Sequence, residues 1–249
     1  MTYAPLGTKA RREQEFFADW TVHPAGDRLR WRRELRHVLE AAGGRGLGRV
    51  LSLGCGRGRF ERMLAERAER VLGIDLSPES VELAREEAEA RGLENLHFEC
   101  ADVTSFDLGE RFDTMLCIGF LHHLDEEEGR RLLRRAHAHL EPGGLLHTQD
   151  PNVHGVLRAL GRRVLGARYH AYHSPDEREL DPEAVRRDAL EAGFASARLR
   201  YMDLTLIPGM QLLPRAPAPL MHAFEWADRA WCALPGARWA SGFSLDARR

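Results

Sequence analysis

The apolar positions of this chain follow two alternating periods. Short runs at Val50-Leu51-Ser52-Leu53, Val71-Leu72-Gly73-Ile74 and Leu96-His97-Phe98-Glu99-Cys100 read as strands, and Phe112-Asp113-Thr114-Met115-Leu116-Cys117-Ile118 is nearly continuous, as expected of a central parallel strand covered on both faces. Between them the spacing becomes helical. Ser77-Pro78-Glu79 is a helix start, with a serine cap, proline at the first helical position and an acid at the positive end, and that helix is expected to reach Arg91 before Gly92. Asp125 to Glu128 reads as a capping box ahead of Leu132, Leu133, Ala136 and Leu140 on one face, and Asp181-Pro182-Glu183 opens a helix through Val185, Ala189 and Leu190 that stops at Gly193-Phe194. Glu141-Pro142-Gly143-Gly144 reads as a turn before a fifth strand, Leu145 to Thr148, and Ala240 to Leu245 as the last strand. Strands alternating with helices predict an open, doubly wound α/β sheet, whose ligands bind outside the carboxyl ends of the strands.

Upstream, Thr8 to Trp20 and Arg28 to Ala42 have helical spacing, the second with Trp31, Leu35, Val38 and Leu39 on one side, and Gly43-Gly44-Arg45-Gly46 closes the region. These helices are expected to pack on the rim of the sheet, with a lid over the ligand as the alternative. The chain thus divides into a helical cap, 1–47, and a sheet domain, 48–249. Insertions at about 153–180 and 204–238 break the alternation. The first holds the arginine-rich amphipathic stretch Val156 to Leu165 and the histidines His154, His170 and His173. The second holds five prolines around an apolar helix with Leu220, Phe224, Ala227 and Trp231. Both are expected to cover the strand ends.

The chemistry concentrates where the first strand breaks into Gly54-Cys55-Gly56-Arg57-Gly58, followed by the charged, helix-prone Arg59 to Arg70. Only glycine lets the backbone turn so sharply and approach a ligand so closely. Asp75 ends the second strand, where a nucleotide-binding βαβ unit places an acceptor for ribose hydroxyls, so the two features together propose a site for an adenosine-containing ligand. A dinucleotide loop runs G-x-G-x-x-G, but here Arg59 stands at the last position, which points to a ligand laying a short charged tail across the turn. Asp102, just after the third strand, can accept from a purine amino group, or serve as an ordinary turn residue.

Composition narrows the partners. The 249 residues are 43% hydrophobic and 30% charged with a net charge of −2, so one substantial core is expected and a basic nucleic-acid-binding surface is not. The four cysteines, Cys55, Cys100, Cys117 and Cys232, form no C-x-x-C pair, so neither a zinc site nor a disulfide framework is indicated. With no secretory leader and no apolar run of about 18 residues, a soluble, cytoplasmic protein with free thiols is expected.

These pieces in this order resemble the class I S-adenosylmethionine-dependent methyltransferases, over roughly Gly48 to Phe194 plus the terminal strand. The glycine loop, Gly73-Ile74-Asp75-Leu76-Ser77, Ala101-Asp102-Val103, the Phe112 to Leu124 stretch and Leu140-Glu141-Pro142-Gly143-Gly144 carry the likeness. The resemblance implies a Rossmann-like doubly wound sheet of seven strands, the last antiparallel, with helices on both faces. It implies S-adenosylmethionine as cofactor and S-adenosylhomocysteine as product, held by Ser52, Gly54, Cys55, Gly56, Asp75, Leu76, Asp102, Val103 and Ile118. In the family an acid usually stands two residues before the first glycine. Here it is Ser52, so contact with the cofactor's ammonium is expected to be weaker, or made by backbone carbonyls and water.

The implied reaction is in-line displacement at the sulfonium methyl, for which the protein chiefly positions the nucleophile. A hydroxyl acceptor calls for a base, a role suited to histidine, and His123, His154 and His173 are the candidates beside His122. No Asn/Asp-Pro-Pro-aromatic tetrad of base-modifying methylases follows the fourth strand, so a small-molecule acceptor is expected. The apolar and arginine-rich insertions point to an amphiphilic, lipid-linked or glycosylated one, with peripheral membrane contact. The competing readings are a methyltransferase-like domain without catalysis, resting on Ser52, and a nicotinamide oxidoreductase, disfavoured by Arg59.

Overall fold

The alternation of strand and helix read from the sequence is realised in the computed structural model, which describes residues 24–165, 177–213 and 215–249. The expected helix Thr8 to Trp20, His170 and His173 lie outside the described residues. Seven strands form one sheet among them: β1 (Arg49–Leu53), β2 (Arg70–Asp75), β3 (Leu96–Cys100), β4 (Phe112–Ile118), β5 (Leu140–Pro151), β6 (Ser196–Met202) and β7 (Gly242–Arg248), in the order β3-β2-β1-β4-β5-β7-β6. Strands β3 to β5 run parallel along the sheet, and β7 pairs antiparallel with both β5 and β6. The strand order reverses between β1 and β4, so the carboxyl ends of those two strands frame the crevice where such sheets bind ligands.

Period-two alternation divides the core between the two faces. Leu51 and Leu53 of β1 point into one cluster with Leu72, Ile74, Met115 and Phe243, covered by α4 (Glu126–His139) and α6 (Pro182–Glu191). Val50 points the other way, with Val71, Leu116 and Leu145, toward α1 (Pro24–Ala42) and α3 (Pro78–Glu89). The predicted caps form: Ser77 accepts from Ser80 N–H, Asp181 from Glu183 N–H, and Asp125 and Glu128 make the reciprocal capping box.

Several expectations need correction. The helix expected over Arg59 to Arg70 is one short turn, α2 (Glu61–Leu64), because the chain must return at once to start β2; Asn95 Nδ2 ties off that return by donating to the carbonyls of Ala65 and Ala68 at 2.9 and 3.1 Å. The Glu141 to Gly144 turn lies inside β5 as an irregularity: pairing with β4 jumps from Phe112↔Leu140 to Thr114↔Leu145, so Leu140 opens the strand instead of closing a helix face. Leu190 is exposed, and Pro182, Val185 and Ala189 make the buried side of α6. The final strand runs later than expected, and β6, the one of the seven expected strands not located in the sequence, is hidden because Arg198 and Arg200 interrupt its apolar positions.

The largest departure is α1. It packs on a face of the sheet instead of its rim, and its buried side carries Arg33, Glu34 and His37 beside Val38. Arg33 Nη2 meets Asp203 Oδ1 at 2.5 Å, with Asp228 Oδ2 at 3.6 Å from Nη1. The fully buried His147 of β5 bridges Glu34 Oε1 at 2.7 Å and Asp246 Oδ1 at 2.6 Å. Burial alone would push this imidazole down, but hydrogen bonds and charge from Asp246 and Glu34 outweigh it and hold the pKa at about 9. His37 has no such partner: burial, reinforced by the charges of Arg200 and Arg33, pushes it down to about 2, so it stays neutral.

A histidine whose folded pKa lies above its ordinary 6.5 stabilises fully below that value and loses the contribution as pH rises toward about 9. Denaturant unfolding is therefore expected to show a fall on the order of 3 kcal/mol between pH 6.5 and 9 from this residue. His147→Gln should start lower at pH 6.5 and show a shallower decline; identical pH profiles would contradict a charged His147.

Candidate functional site

The end of β1 turns through the glycine loop under backbone control. Gly54 N–H and Cys55 N–H both donate to the Ile74 carbonyl, at 2.9 and 3.1 Å, and Gly58 N–H closes the turn on the Cys55 carbonyl at 3.0 Å. Two of these glycines are needed for different reasons. At Gly54, φ is +70° and a Cβ would lie 2.5 Å from the Phe120 ring; at Gly56, φ is +52° and a Cβ would meet nothing within 4 Å, so this stretch of backbone faces open space.

Asp75 joins the loop to the next element. Its Oδ2 accepts from Gly56 N–H at 2.8 Å and its Oδ1 from Ser77 N–H at 2.9 Å, so one carboxylate fixes both the loop and the start of α3. Burial raises its pKa, while these backbone donors pull it back. Leu76 beside it is exposed. From the other side, α1 grips the exit of the loop: Asp27 Oδ2 meets Arg59 Nη1 at 2.6 Å, and Trp31 stacks on Phe60 at 5.2 Å.

Beneath the loop lies a carboxylate that the sequence did not reveal. Ser52 is buried on the same face of β1 as Val50, and its Oγ donates to Glu61 Oε1 at 2.6 Å. Glu61 is itself buried, and its Oε2 has no hydrogen-bond partner among the described residues. Burial pushes its pKa up to about 7 against the opposing Ser52 hydrogen bond.

Across the crevice, the chain leaving β4 makes a short 3-10 turn, Leu121–His123. His122 Nδ1 lies 3.0 Å from Oδ1 of the fully buried Asp150, which also accepts from His122 N–H at 3.1 Å. The His122 and His123 rings are 4.1 Å apart, and Arg178 N–H donates to the His122 carbonyl at 3.2 Å, drawing Glu177 to the pair. Phe120, whose ring lies on Gly54, is 6.3 Å from the His123 ring, so the loop and this mouth share a wall.

Residues 50–144 match the family model described as a methyltransferase domain. A ubiquinone biosynthesis O-methyltransferase of Coxiella burnetii is 28% identical over 157 residues, 63% of this chain and 65% of that protein, so the match spans just under two thirds of the relative's length. The crystal structure of an S-adenosylmethionine-dependent methyltransferase from Mesorhizobium loti is 26% identical, with a TM-score of 0.59 over 87% of this chain and 96% of that one. The fold is also that of magnesium protoporphyrin IX methyltransferase from Synechocystis, with a TM-score of 0.64, 18% identity, and coverage of 98% and 95%. Residues 50–144 are thus a methyltransferase domain, and the likeness around it is to S-adenosylmethionine-dependent methyltransferases.

Around this domain the predicted set divides. Ser52, Gly54, Cys55, Gly56, Asp75 and Leu76 gather around the loop, and Ile118 ends β4 on the same face as Leu116. Asp102 Oδ1 is engaged by Thr104 N–H and Thr104 Oγ, both at 2.8 Å, in a local turn, and the Val103 side chain is buried in the main core, leaving its backbone available. Among the histidines, His123 is at the mouth, whereas His154 is exposed with Nε2 3.7 Å from Asp181 Oδ1, and His173 lies outside the described residues. All four thiols are pushed above their ordinary pKa, chiefly by burial, which excludes a thiolate nucleophile near neutrality.

Glu61 and Glu177 were missed. Glu61 had a faint signal, an acid opening the helix after a loop whose usual acid is absent, but only the fold brings it to Ser52. A glutamate whose folded pKa is about 7 makes the protein less stable as pH rises from 4.5 to 7, because the unfolded chain ionises first. Glu61→Gln is expected to remove that slope and raise the unfolding free energy at pH 8 by about 3 kcal/mol. Parallel wild-type and variant profiles would mean that the carboxyl is not held in the protonation state assigned.

Proposed function

We propose that this chain transfers the methyl group of S-adenosylmethionine to a hydroxyl of a small amphiphilic acceptor. The observation that carries the reading is the unit made by the Gly54 to Gly58 loop and the Asp75 carboxylate, within the stretch that matches the methyltransferase family. The residues fit the cofactor. Gly56 presents bare backbone to open space, Asp75 keeps acceptor capacity for two ribose hydroxyls beyond its backbone donors, and the exposed Leu76 offers an apolar surface to the adenine. In this reading Asp102 and the Val103 backbone meet the purine edge. In the same reading Glu61, held by Ser52 and with its pKa raised to about 7, ionises as the ammonium approaches and stands in for the acid that the family carries two residues before the first glycine.

When bound, the sulfonium supplies a methyl group on a good leaving group. The chain's own contribution is placement and exclusion of water. His123 at the β4 mouth is the residue we assign to the acceptor hydroxyl, to orient it and receive its proton. A hydroxyl acceptor agrees with the relatives named for ubiquinone biosynthesis O-methylation.

Both insertions leave the sheet at the carboxyl ends of the strands, since Pro151, Gly242 and Met202 stand in register there. The first contains α5 (Val156–Leu165), on which Val156, Leu160 and Val164 are exposed, continuing from Val153, while Arg158 and Arg162 pair with Glu179. The second contains α7 (Leu206–Leu212) and α8 (Ala218–Cys232), joined to α1 through Ala25, Met210 and Met221. In this reading they enclose the acceptor, and α5 meets the surface of the membrane or micelle that carries it. Among the described residues, no helix is long and apolar enough to cross a membrane.

Calorimetric titration with S-adenosylhomocysteine is expected to show one site, weakened roughly 10- to 100-fold in Asp75→Asn by loss of charge-assisted hydrogen bonds. Cosedimentation with anionic vesicles should weaken as salt rises. A correctly folded chain that ignores both S-adenosylmethionine and its demethylated product would end the proposal.

A further inference from the structure

We propose that His122, His123 and Glu177 bind a divalent transition-metal ion at the acceptor mouth. One ligand atom from each side chain can be chosen so that all three lie within 4.8 Å of one another, close enough for small rotamer adjustments to bring them around a single ion. Two imidazoles and a carboxylate suit zinc, manganese or ferrous iron better than magnesium or calcium, which prefer all-oxygen sites.

The surroundings of His122 are those of a metal-ligating histidine. Asp150 is fully buried, and its Oδ1 accepts from both the backbone N–H and Nδ1–H of His122. That hydrogen bond fixes the ring and its tautomer, leaving Nε2 with its lone pair outward, which is the usual carboxylate–histidine support of a bound metal. Asp150 Oδ2 has no hydrogen-bond partner among the described residues, so the site holds a buried, unsatisfied carboxyl oxygen that a nearby cation would compensate. The backbone bond from Arg178 to His122 holds the third ligand's segment in place.

The role of the ion rests on the methyl-transfer reading. With three protein ligands, it keeps positions for the acceptor oxygen and for water. A hydroxyl bound there loses its proton to water more readily, its oxygen forms the new bond to the methyl carbon, and the sulfur keeps the electron pair of the broken carbon–sulfur bond. No electron changes hands; with the ion bound, His123 orients the acceptor through the metal and the proton passes to water, and its role as the direct proton acceptor applies to the metal-free chain.

The test uses the full chain without a histidine tag, freed of metal by chelator and dialysed against zinc or manganese, with bound metal measured by elemental analysis. About one equivalent per chain is expected, with affinity at least 10-fold lower in His123→Ala and in Glu177→Gln, while His139→Ala, outside the cluster, binds as wild type. S-adenosylhomocysteine affinity should be unchanged in all of them, which also shows that they fold. No uptake by wild type, or undiminished uptake by both ligand variants, would overturn the site. Stoichiometric metal with no S-adenosylhomocysteine binding would uphold the metal site and overturn the methyl-transfer reading instead.

Discussion

One carboxylate organises the binding edge of this sheet. Asp75 accepts from the Gly56 N–H of the loop after β1 and from the Ser77 N–H at the head of α3, so two chain reversals are fixed to one another through a side chain at the end of β2. A loop of three glycines has the most conformational freedom to lose, and backbone bonds to Ile74 and Asp75 supply the constraint that its sequence lacks. The bare face of Gly56 is therefore held in place before a ligand arrives, which lowers the ordering cost of binding.

The second constraint is a set of buried charges. Arg33 and Glu34 on α1 would be costly to bury alone, yet each finds an opposite partner on the sheet or the second insertion: Asp203 and Asp228 for Arg33, His147 for Glu34. Such pairs contribute little net stability compared with an apolar interface, but they fix where a helix sits, because any other register leaves a charge unpaired. This explains how α1 comes to lie with its first turn at the glycine loop, where Asp27 reaches Arg59. The helix therefore packs on a face of the sheet in place of the expected rim, with its first turn beside the loop.

What was legible in the sequence was local. Apolar runs, caps and glycine turns located β1 to β4, α3, α4 and α6, because each signal needs only residues a few positions apart. What was hidden depended on pairing at long range. Arg33 and Asp203 are 170 positions apart, and Glu34 and His147 are 113 apart, so a helix with buried charges looked like one with a short apolar stripe. Strand β6 was hidden by Arg198 and Arg200 on a half-buried edge. Ser52 looked like a defect in a familiar pattern, and only the fold brings it into a hydrogen bond with Glu61, an acid nine residues later.

The same distinction bears on how the two halves of the site communicate. Gly54 has no side chain, and Phe120 fills that space; Phe120 in turn flanks His123, and His122 is anchored through Asp150 to the end of β5. The wall between the cofactor loop and the acceptor mouth is thus a single ring packed against backbone. Close-packed interiors transmit small displacements instead of absorbing them. The position of the Phe120 ring is therefore constrained by the Gly54 backbone as well as by its neighbour His123, so the loop and the mouth share one packing constraint.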